Sequence, residues 1–435
     1  MTNLPPGSNG VPLLGETLSF AKNPFRFIEQ RLASHGRMFR TNVLGRKTVV
    51  IAGADAAGRF IDNSVVMREG SMPPHVQEIF GGRSLPLLDG DVHKTRKGLV
   101  LKAFTREAMA SYLPLIQRGV ETSFERWSRG GEIRWLDEMQ RLSIEVICTT
   151  IIGIAPGEET DRLRRDYSIL TRGFATLPIN IPGTPYNKAL KARDRILDTL
   201  RARIRERRAN PTDDGLSRIL TAGEISDENA ALELHHIVIA GYIVFAELGA
   251  IVQQLTSHPE VRARLVDEIA SIAPNGPLTL ESLMRMPYLA NVVSEVKRLT
   301  PIIPAVFGKT KEGFEFDGKQ VPAGWMVMWA LTPSHVTHGV YDDAANFDPD
   351  RFSDTRAEHK RHEHAFVPQG AGPAMGHRCP GLDYATYFME IFAVVLLRGY
   401  TWTLPPQNFE LDWSKTPPEP KDGLRASITR LSPRA

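Results

Sequence analysis

A single cysteine on a glycine-rich loop is the feature that most constrains this chain. Cys379 lies in the segment Phe366-Val-Pro-Gln-Gly-Ala-Gly-Pro-Ala-Met-Gly-His-Arg-Cys-Pro-Gly381, behind three glycines and ahead of a fourth. Glycines let backbone amides approach the sulfur closely, because no side chain blocks them. Amide hydrogen bonds and the neighbouring Arg378 favour the thiolate, the form that ligates metal. The segment therefore predicts a metal-ligating thiolate; the alternative is a buried free cysteine that packs as a small hydrophobic residue.

Three further motifs, in a fixed order along the chain, reduce the weight of that alternative. His258-Pro259 ends a long apolar helix. Glu295-Val-Lys-Arg298 follows in a predicted helix, where residues three apart share one face. Phe347-Asp-Pro-Asp-Arg-Phe352 comes next, ahead of the cysteine loop. Together with the loop, these motifs resemble those of the cytochrome P450 family, in which a cysteine thiolate is the proximal ligand of a haem iron.

The resemblance implies a fold that is mainly α-helical with a small β-rich lobe. In the cytochrome P450 fold the haem lies between the long central helix and the cysteine loop, and residues 1–435 are expected to form one haem-thiolate domain. The cofactor is then haem b, with Cys379 as its axial ligand. The resemblance also implies a buried cluster of Glu295, Arg298 and Arg351, although a helical Glu-Arg pair by itself is usually a solvated surface pair.

Basic side chains are expected from the resemblance to hold the haem propionates. The expected residues are His93, Lys97, Lys309, His377 and Arg378. The first two lie in Asp89-Gly-Asp-Val-His-Lys-Thr-Arg-Lys-Gly-Leu99, which resembles the family's propionate-binding helix. Lys97 keeps the charge of the arginine that is usual there but not its forked geometry. For each lysine, a solvated surface position is the alternative.

Residue patterns also predict the local structure. Apolar periodicity and proline positions predict helices at 24–35, 106–129 and 158–173. Met38 to Ala52, rich in valine, threonine and isoleucine, predicts two short strands around Gly45.

The predicted central helix, Ser226 to Ser257, departs from the family pattern. Monooxygenases of the family usually carry an acid-alcohol pair there, which delivers protons during oxygen activation. Counting back from His258-Pro259 places Tyr242 and Ile243 at those positions, and no Thr or Ser lies between Asp227 and Thr256. The remaining candidates for chemistry on this side of the haem are Tyr242, His236 and Glu247. Each has a simpler interpretation as a packed or paired residue.

The stretched ligand loop resembles the fatty-acid peroxygenase branch of the family. Phe366 lies thirteen residues before Cys379, a longer spacing than is usual. That branch uses hydrogen peroxide and lacks the acid-alcohol pair, but it holds its substrate carboxylate with an Arg-Pro pair in the central helix. Matching the branch places Ile239 and Ala240 at that pair, three residues from the other register. A simple fatty-acid substrate is disfavoured, because a carboxylate buried without its cation is costly.

The predicted function is the oxidation of a hydrophobic small molecule by a haem-thiolate monooxygenase or peroxygenase of secondary metabolism. The oxidant is hydrogen peroxide, or dioxygen with electrons from a ferredoxin and its reductase. A redox-neutral isomerase or dehydratase and a non-catalytic haem protein are the alternatives.

A formal net charge of +3 argues against nucleic acid as a partner. Two cysteines give no disulfide framework and no window holds about 18 uninterrupted apolar residues, so we expect a cytoplasmic protein without a membrane anchor.

Overall fold

The computed structural model describes residues 3–12, 14–174, 176–300, 302–413 and 415–432. The predicted architecture, mainly α-helical with a small amount of sheet, is confirmed. The α-helices within these ranges are α1 Thr17–Lys22, α2 Pro24–His35, α3 Ala54–Ile61, α4 Pro74–Ile79, α5 Gly90–Leu101, α6 Arg106–Arg129, α7 Trp135–Ile147, α8 Glu158–Gly173, α9 Pro185–Ala209, α10 Gly215–Thr221, α11 Asp227–Tyr242, α12 Phe245–Ser257, α13 Pro259–Ile272, α14 Leu280–Met284, α15 Pro287–Leu299, α16 Leu331–Val336 and α17 Leu382–Gly399.

Short strands form four small sheets in the described ranges. The strands are β1 Met38–Val43, β2 Arg46–Ile51, β3 Val66–Met67, β4 Ile133–Arg134, β5 Val306–Thr310, β6 Phe314–Phe316, β7 Lys319–Val321, β8 Met326–Trp329, β9 Tyr400–Thr403, β10 Leu411–Asp412, β11 Glu419–Pro420 and β12 Arg425–Arg430. The largest sheet has the order β1-β2-β8-β5-β3. The predicted hairpin around Gly45 is its β1–β2 pair, with Gly45 at a φ of +70° that favours glycine.

Side-chain caps and prolines explain several helix starts. The Thr105 hydroxyl accepts from the amide of Ala108 at the start of α6, and the Ser226 hydroxyl accepts from Asn229 at the start of α11. Proline occupies the first turn of α13 and α15, where a missing N–H costs nothing. The helices predicted at 24–35, 106–129 and 158–173 are present with these bounds.

The central helix differs from its prediction as one continuous element, because a turn at Ile243–Val244 separates α11 from α12. The amide of Glu247 bonds to the carbonyl of Val244, three residues back, at 2.9 Å. No backbone hydrogen bond joins the Val244 amide to the Ala240 carbonyl in the described structure. The turn is therefore tightened locally, as in a short 3₁₀ segment.

Close packing fixes the end of α11 before this turn. A Cβ atom at Gly241 would lie 2.5 Å from Cγ1 of Ile147 on α7, so only glycine lets the two helices approach this closely.

The combined segment Asp227–Ser257 is the one described stretch long and apolar enough to cross a membrane. However, 72% of its most apolar window is buried inside the protein, as in the core helix of a globular fold.

The predicted cluster of buried charges is present and joins α15 to the segment before the cysteine loop. Oε2 of Glu295 lies 2.7 Å from Nε of Arg298, and Oε1 lies 2.9 Å from Nε of Arg351. All three side chains are fully buried. A fourth member, Glu358, was not predicted; its Oε2 lies 3.0 Å from Nη1 of Arg351. Charges buried this deeply need such complete pairing, because each unpaired one costs several kcal/mol.

Candidate active site

A buried cavity lies between the central helix and the loop that carries Cys379. Helices α5, α11 and α12 form one side, and the loop with the first turns of α17 forms another. Strands β5 and β8 contribute Val306 and Trp329. Most of the wall is apolar, and Cys379 is exposed to this interior space. This is the place at which the sequence motifs predict the haem.

The loop around Cys379 is shaped by glycine and by a backbone hydrogen bond. Gly370 has a φ of +90°, and the Cys379 amide donates to the carbonyl of Gln369 at 3.0 Å. Burial raises the pKa of the Cys379 thiol, whereas the Gly381 amide and the charges of Lys97 and Lys297 lower it. The expected amide and cationic stabilisation is therefore present, but the cations are lysines from α5 and α15. Metal coordination stabilises the thiolate further, because the thiolate is the ligating form.

Three of the predicted propionate-binding residues meet beside this loop. The ring centroids of His93 and His377 lie 4.1 Å apart, and Nε2 of His377 lies 3.4 Å from Oδ1 of Asp89. Lys97 donates to the carbonyl of Arg378. Burial lowers the pKa of His93 to about 4 and that of Lys97 to about 8, with neighbouring cations adding to the shift. The cluster is thus rich in donors and short of anions.

Asp89 directly precedes the helix that carries His93 and Lys97, and its carboxylate contacts other parts of the chain. Its Oδ2 accepts from the amides of Arg68 and Glu69 at 2.8 and 2.7 Å. Burial opposes ionisation of Asp89, but the hydrogen bonds from His377 and these two amides lower its pKa to about 2. Asp89 is therefore ionised at neutral pH and fixes the orientation of the His377 ring.

Arg68 is a cavity residue that sequence reasoning missed. It is buried, lines the cavity, and donates through Nη2 to the carbonyl of Phe60 at 3.2 Å. Lys309, the predicted basic residue of this region, is not among the residues that line the cavity, so its predicted role receives no support. Lys309 on β5 is the backbone partner of Met67 on β3, and Met67 directly precedes Arg68 in the sequence. Arg68 directly follows β3, and a strand of only two residues carries no sequence pattern that could have identified Arg68 as a cavity residue.

The unpaired polar atoms of the cavity test whether the residues fit a haem. Nε and Nη1 of Arg68 and Nε2 of His93 are buried without a hydrogen-bond partner. Each such group costs about 1–3 kcal/mol unless an acceptor or donor is supplied. Two carboxylates would satisfy the arginine nitrogens, and a haem carries two propionates. Within the described ranges no three His, Cys, Asp or Glu side chains could hold a metal ion together. A haem iron needs only one axial ligand from the protein, and Cys379 in the cavity wall can provide it.

The central helix presents His236 and Glu247 to the cavity. Ala240, Ile243 and Val244 lie between them on the same face, as helical spacing requires. Tyr242, the third predicted distal residue, does not line the cavity. It lies off that face, where its ring packs against Tyr167 and Phe245 with centroids 6.5 and 5.4 Å away. The acid-alcohol pair expected of the family is absent from this face, in line with the sequence.

Glu247 is accompanied by a buried lysine that the motifs did not single out. Burial raises the pKa of Glu247, and the charge of Lys297 lowers it. The Lys297 ammonium donates to Oγ1 of Thr386 at 2.7 Å and to Oε1 of Gln369 at 3.0 Å. A carboxyl and an ammonium group thus lie buried between the cavity and helix α17. Lys297 lies within the motif Glu295-Val-Lys-Arg298, but the family resemblance assigns roles only to Glu295 and Arg298.

Comparisons with known proteins agree with this geometry. The family model described as cytochrome P450 matches residues 5–422. The curated "Putative cytochrome P450 120" of Synechocystis sp. is 30% identical over 98% of this chain and 97% of its own length. Cytochrome P450 26B1 of Danio rerio is 31% identical over 98% of this chain and 87% of its own length.

Solved structures of the same kind share the fold. The structure of retinoic acid-bound cyanobacterial CYP120A1 superimposes with a TM-score of 0.91 at 29% identity, covering 99% of this chain and 100% of that one. Cytochrome P450SP alpha (CYP152B1) in complex with (R)-ibuprophen gives a TM-score of 0.82 at 25% identity, covering 95% of this chain and 98% of that one.

Proposed function

This chain belongs to the cytochrome P450 family, and we propose that it is a haem-thiolate monooxygenase that oxidises an elongated hydrophobic substrate of the retinoid type. The observation that carries the proposal is the position of Cys379 in the wall of a mostly apolar cavity that the break in the central helix also lines. The likeness to a retinoic acid-bound structure over 99% of the chain supports the substrate class.

The haem b of this family supplies the oxidising chemistry when it is bound. The chain's own residues bind and orient that group: Cys379 provides the axial thiolate, and Arg68, His93 and Lys97 provide donors for its carboxylates. The apolar walls exclude water and leave few orientations to a hydrophobic substrate. Redox partners of the ferredoxin type are part of this proposal.

Glu247 and His236 are the proposed distal residues. Glu247 is the proposed proton donor near the helix break; burial raises its pKa, and the charge of Lys297 lowers it. His236 is neutral at physiological pH, since burial lowers its pKa to about 4. It can therefore exchange hydrogen bonds with a polar group of the substrate. Tyr242 has no such role in the proposal, because it does not line the cavity.

A second candidate, oxidation with hydrogen peroxide, is favoured by one specific observation. Ile243 and Val244, which face the cavity at the break, carry neither an acid nor a hydroxyl. A monooxygenase then depends on Glu247 for protons, whereas hydrogen peroxide brings its own.

The test is turnover of retinoic acid by the purified haem protein, with retinol as the matched substrate that lacks the carboxylate. One arm contains ferredoxin, ferredoxin reductase and reduced nicotinamide; the other contains hydrogen peroxide alone. Product only with the electron-transfer proteins supports the monooxygenase, and product with peroxide alone supports the second candidate. Conversion without an oxidant points to a redox-neutral enzyme, and no conversion in any arm contradicts the proposed substrate class.

A further inference from the structure

A buried ion pair joins the central helix to the wall of the cavity. Glu233 on α11 is fully buried, and its Oε1 lies 2.8 Å from Nε of Arg96 on α5. The other oxygen, Oε2, accepts from the amide of Leu85 at 3.0 Å. Leu85 lines the cavity, whereas Glu233 and Arg96 lie behind it. The Glu233–Arg96 pair therefore contacts the cavity wall on the side that faces away from the cavity.

Arg96 extends the same contact to the neighbouring backbone. Its Nη1 donates to the carbonyl of Arg83 at 2.7 Å, and its Nη2 donates to the carbonyl of Asn229 at 3.1 Å. The guanidinium thus links the segment before α5 with the start of α11. The side chain of Arg83 itself points to solvent, where it pairs with Glu69 at 2.6 Å.

The segment Gly81–Leu88 has little regular structure of its own to hold its shape. Gly81 and Gly82 have φ values of +79° and +133°, and the only helical turn is the 3₁₀ turn Leu85–Leu87. Segments with few internal hydrogen bonds open locally at low free-energy cost. The Glu233 carboxylate therefore contacts a part of the wall that has little regular structure of its own.

A fully buried ion pair is not needed to stabilise a fold. Apolar residues of similar size often replace buried pairs without loss, whereas removing one partner leaves a costly unpaired charge. Burial raises the pKa of Glu233 to about 7, although Arg96 and the Leu85 amide lower it. What Glu233 adds over an apolar contact is direction, because its carboxylate accepts a hydrogen bond from the Leu85 amide. Its contact with Arg96 is an ion pair without hydrogen-bond geometry, since Nε of Arg96 and Oε1 of Glu233 have no hydrogen-bond partner.

We propose that Glu233 is a positioning residue that, with Arg96, holds Leu85 and Pro86 in the cavity wall and so sets how tightly the cavity binds its ligands. This inference deepens the proposed function and rests on it only where the ligand is the substrate. Pro86 lines the cavity beside Leu85, so both side chains move if the tie is lost.

The experiment compares haem-loaded wild type with Glu233→Ala and Glu233→Gln. Glu228→Gln is the control, because Glu228 lies on the same helix in an exposed pair with Arg201. Hydrogen exchange of the peptide that contains Leu85 reports directly on the hydrogen bond between the Leu85 amide and Glu233. Binding of 4-phenylimidazole, an azole that ligates haem iron, reports the shape of the wall without turnover. With retinoic acid, the KM and kcat are measured separately.

For Glu233→Ala we expect about 10-fold faster exchange at Leu85 and about 10-fold weaker 4-phenylimidazole binding, at unchanged haem content. Glu233→Gln keeps an acceptor for the Leu85 amide and should recover part of both effects. With retinoic acid the KM should rise more than kcat falls. Glu228→Gln should match the wild type in all readouts.

Unchanged exchange and unchanged azole binding in a haem-loaded Glu233→Ala protein would overturn the inference. If that variant does not accumulate as a haem protein, Glu233→Gln and Arg96→Gln decide the matter: wild-type values in both overturn it. Absence of retinoic acid turnover in the wild type contradicts the proposed function alone, because exchange and azole binding need no turnover.

Discussion

The imidazole rings of His93 and His377 lie 4.1 Å apart, centroid to centroid, and link helix α5 to the cysteine loop. Asp89 contacts His377 and the backbone that leads into Arg68, so one carboxylate orients residues from two parts of the cavity. With Lys97 bound to the carbonyl of Arg378, the loop that presents Cys379 is attached to α5 through side chains at several points. These contacts connect the residues that form the cationic edge of the cavity.

Replacement of Arg68 should weaken haem retention more than replacement of Lys309. Arg68→Met keeps the volume but removes two unpaired donors from the cavity, and we expect haem affinity to fall about 10-fold or more. Lys309→Met is the matched control, because Lys309 does not line the cavity. Transfer of haem to apomyoglobin measures both rates. Equal retention by the two variants would contradict the assignment of Arg68.

Arg351→Met should strongly destabilise the fold. The change leaves Glu295 and Glu358 buried with fewer cationic partners, and we expect a loss of about 3–5 kcal/mol in the free energy of unfolding. The control is Arg264→Gln, which breaks an exposed pair with Asp350 and should cost about 1 kcal/mol or less. Urea denaturation measures both values, and similar losses would be inconsistent with the buried cluster.

Stability should fall as pH drops below about 6.5. Burial lowers the pKa of His235 to about 4 and that of His335 to about 3, from an unfolded value of about 6.5. The unfolded state therefore binds more protons in this range, and the stability present above pH 6.5 is lost as the pH falls towards these folded values. At pH 4.5 the loss should reach about 2–3 kcal/mol for each histidine.

The variant His335→Gln tests the origin of that pH dependence. Glutamine can still accept from the Val367 amide, which bonds to Nε2 of His335 at 3.0 Å, but it does not titrate. The slope of unfolding free energy against pH should decrease by about 1.4 kcal/mol per pH unit between pH 6.5 and 4.5. An unchanged slope would show that other groups control acid stability.

Glu247→Gln should reduce turnover driven by the electron-transfer proteins far more than turnover driven by hydrogen peroxide. The substitution removes the titratable carboxyl group, whose pKa burial raises, but preserves the shape of the side chain. We expect a loss of about 10²-fold in the first arm, as for removal of a general acid. Tyr242→Phe is the control, since Tyr242 does not line the cavity. Equal losses in the two arms would argue against a proton role for Glu247.

Motifs with a strict order predicted the buried charge cluster and the place of the cysteine loop in the cavity wall. The loop around Cys379 and the cluster of Glu295, Arg298 and Arg351 follow from residue types at fixed spacings, because their chemistry tolerates few substitutions. Glu358 and Arg68 were missed for the opposite reason. Each comes from a short irregular segment and acquires its role only when distant parts of the chain meet.

The central helix was predicted with less success, because its two registers were counted from different motifs and a break separates α11 from α12. Each sequence register placed one of its two residues on the observed face: Ile243 and Ala240 line the cavity together with Val244, whereas Tyr242 and Ile239 do not. The break after Tyr242 depends on backbone hydrogen bonds and on packing against α7, neither of which leaves a local sequence signal.

The central claim is that Cys379 is the thiolate ligand of a haem, and the carbon monoxide difference spectrum of the reduced protein tests it most directly. The wild type should give the red-shifted band of a thiolate-ligated ferrous haem, and Cys379→Ala should lose that band. Cys148→Ala is the control, because Cys148 is fully buried away from the cavity. A thiolate band that survives in Cys379→Ala would contradict the account.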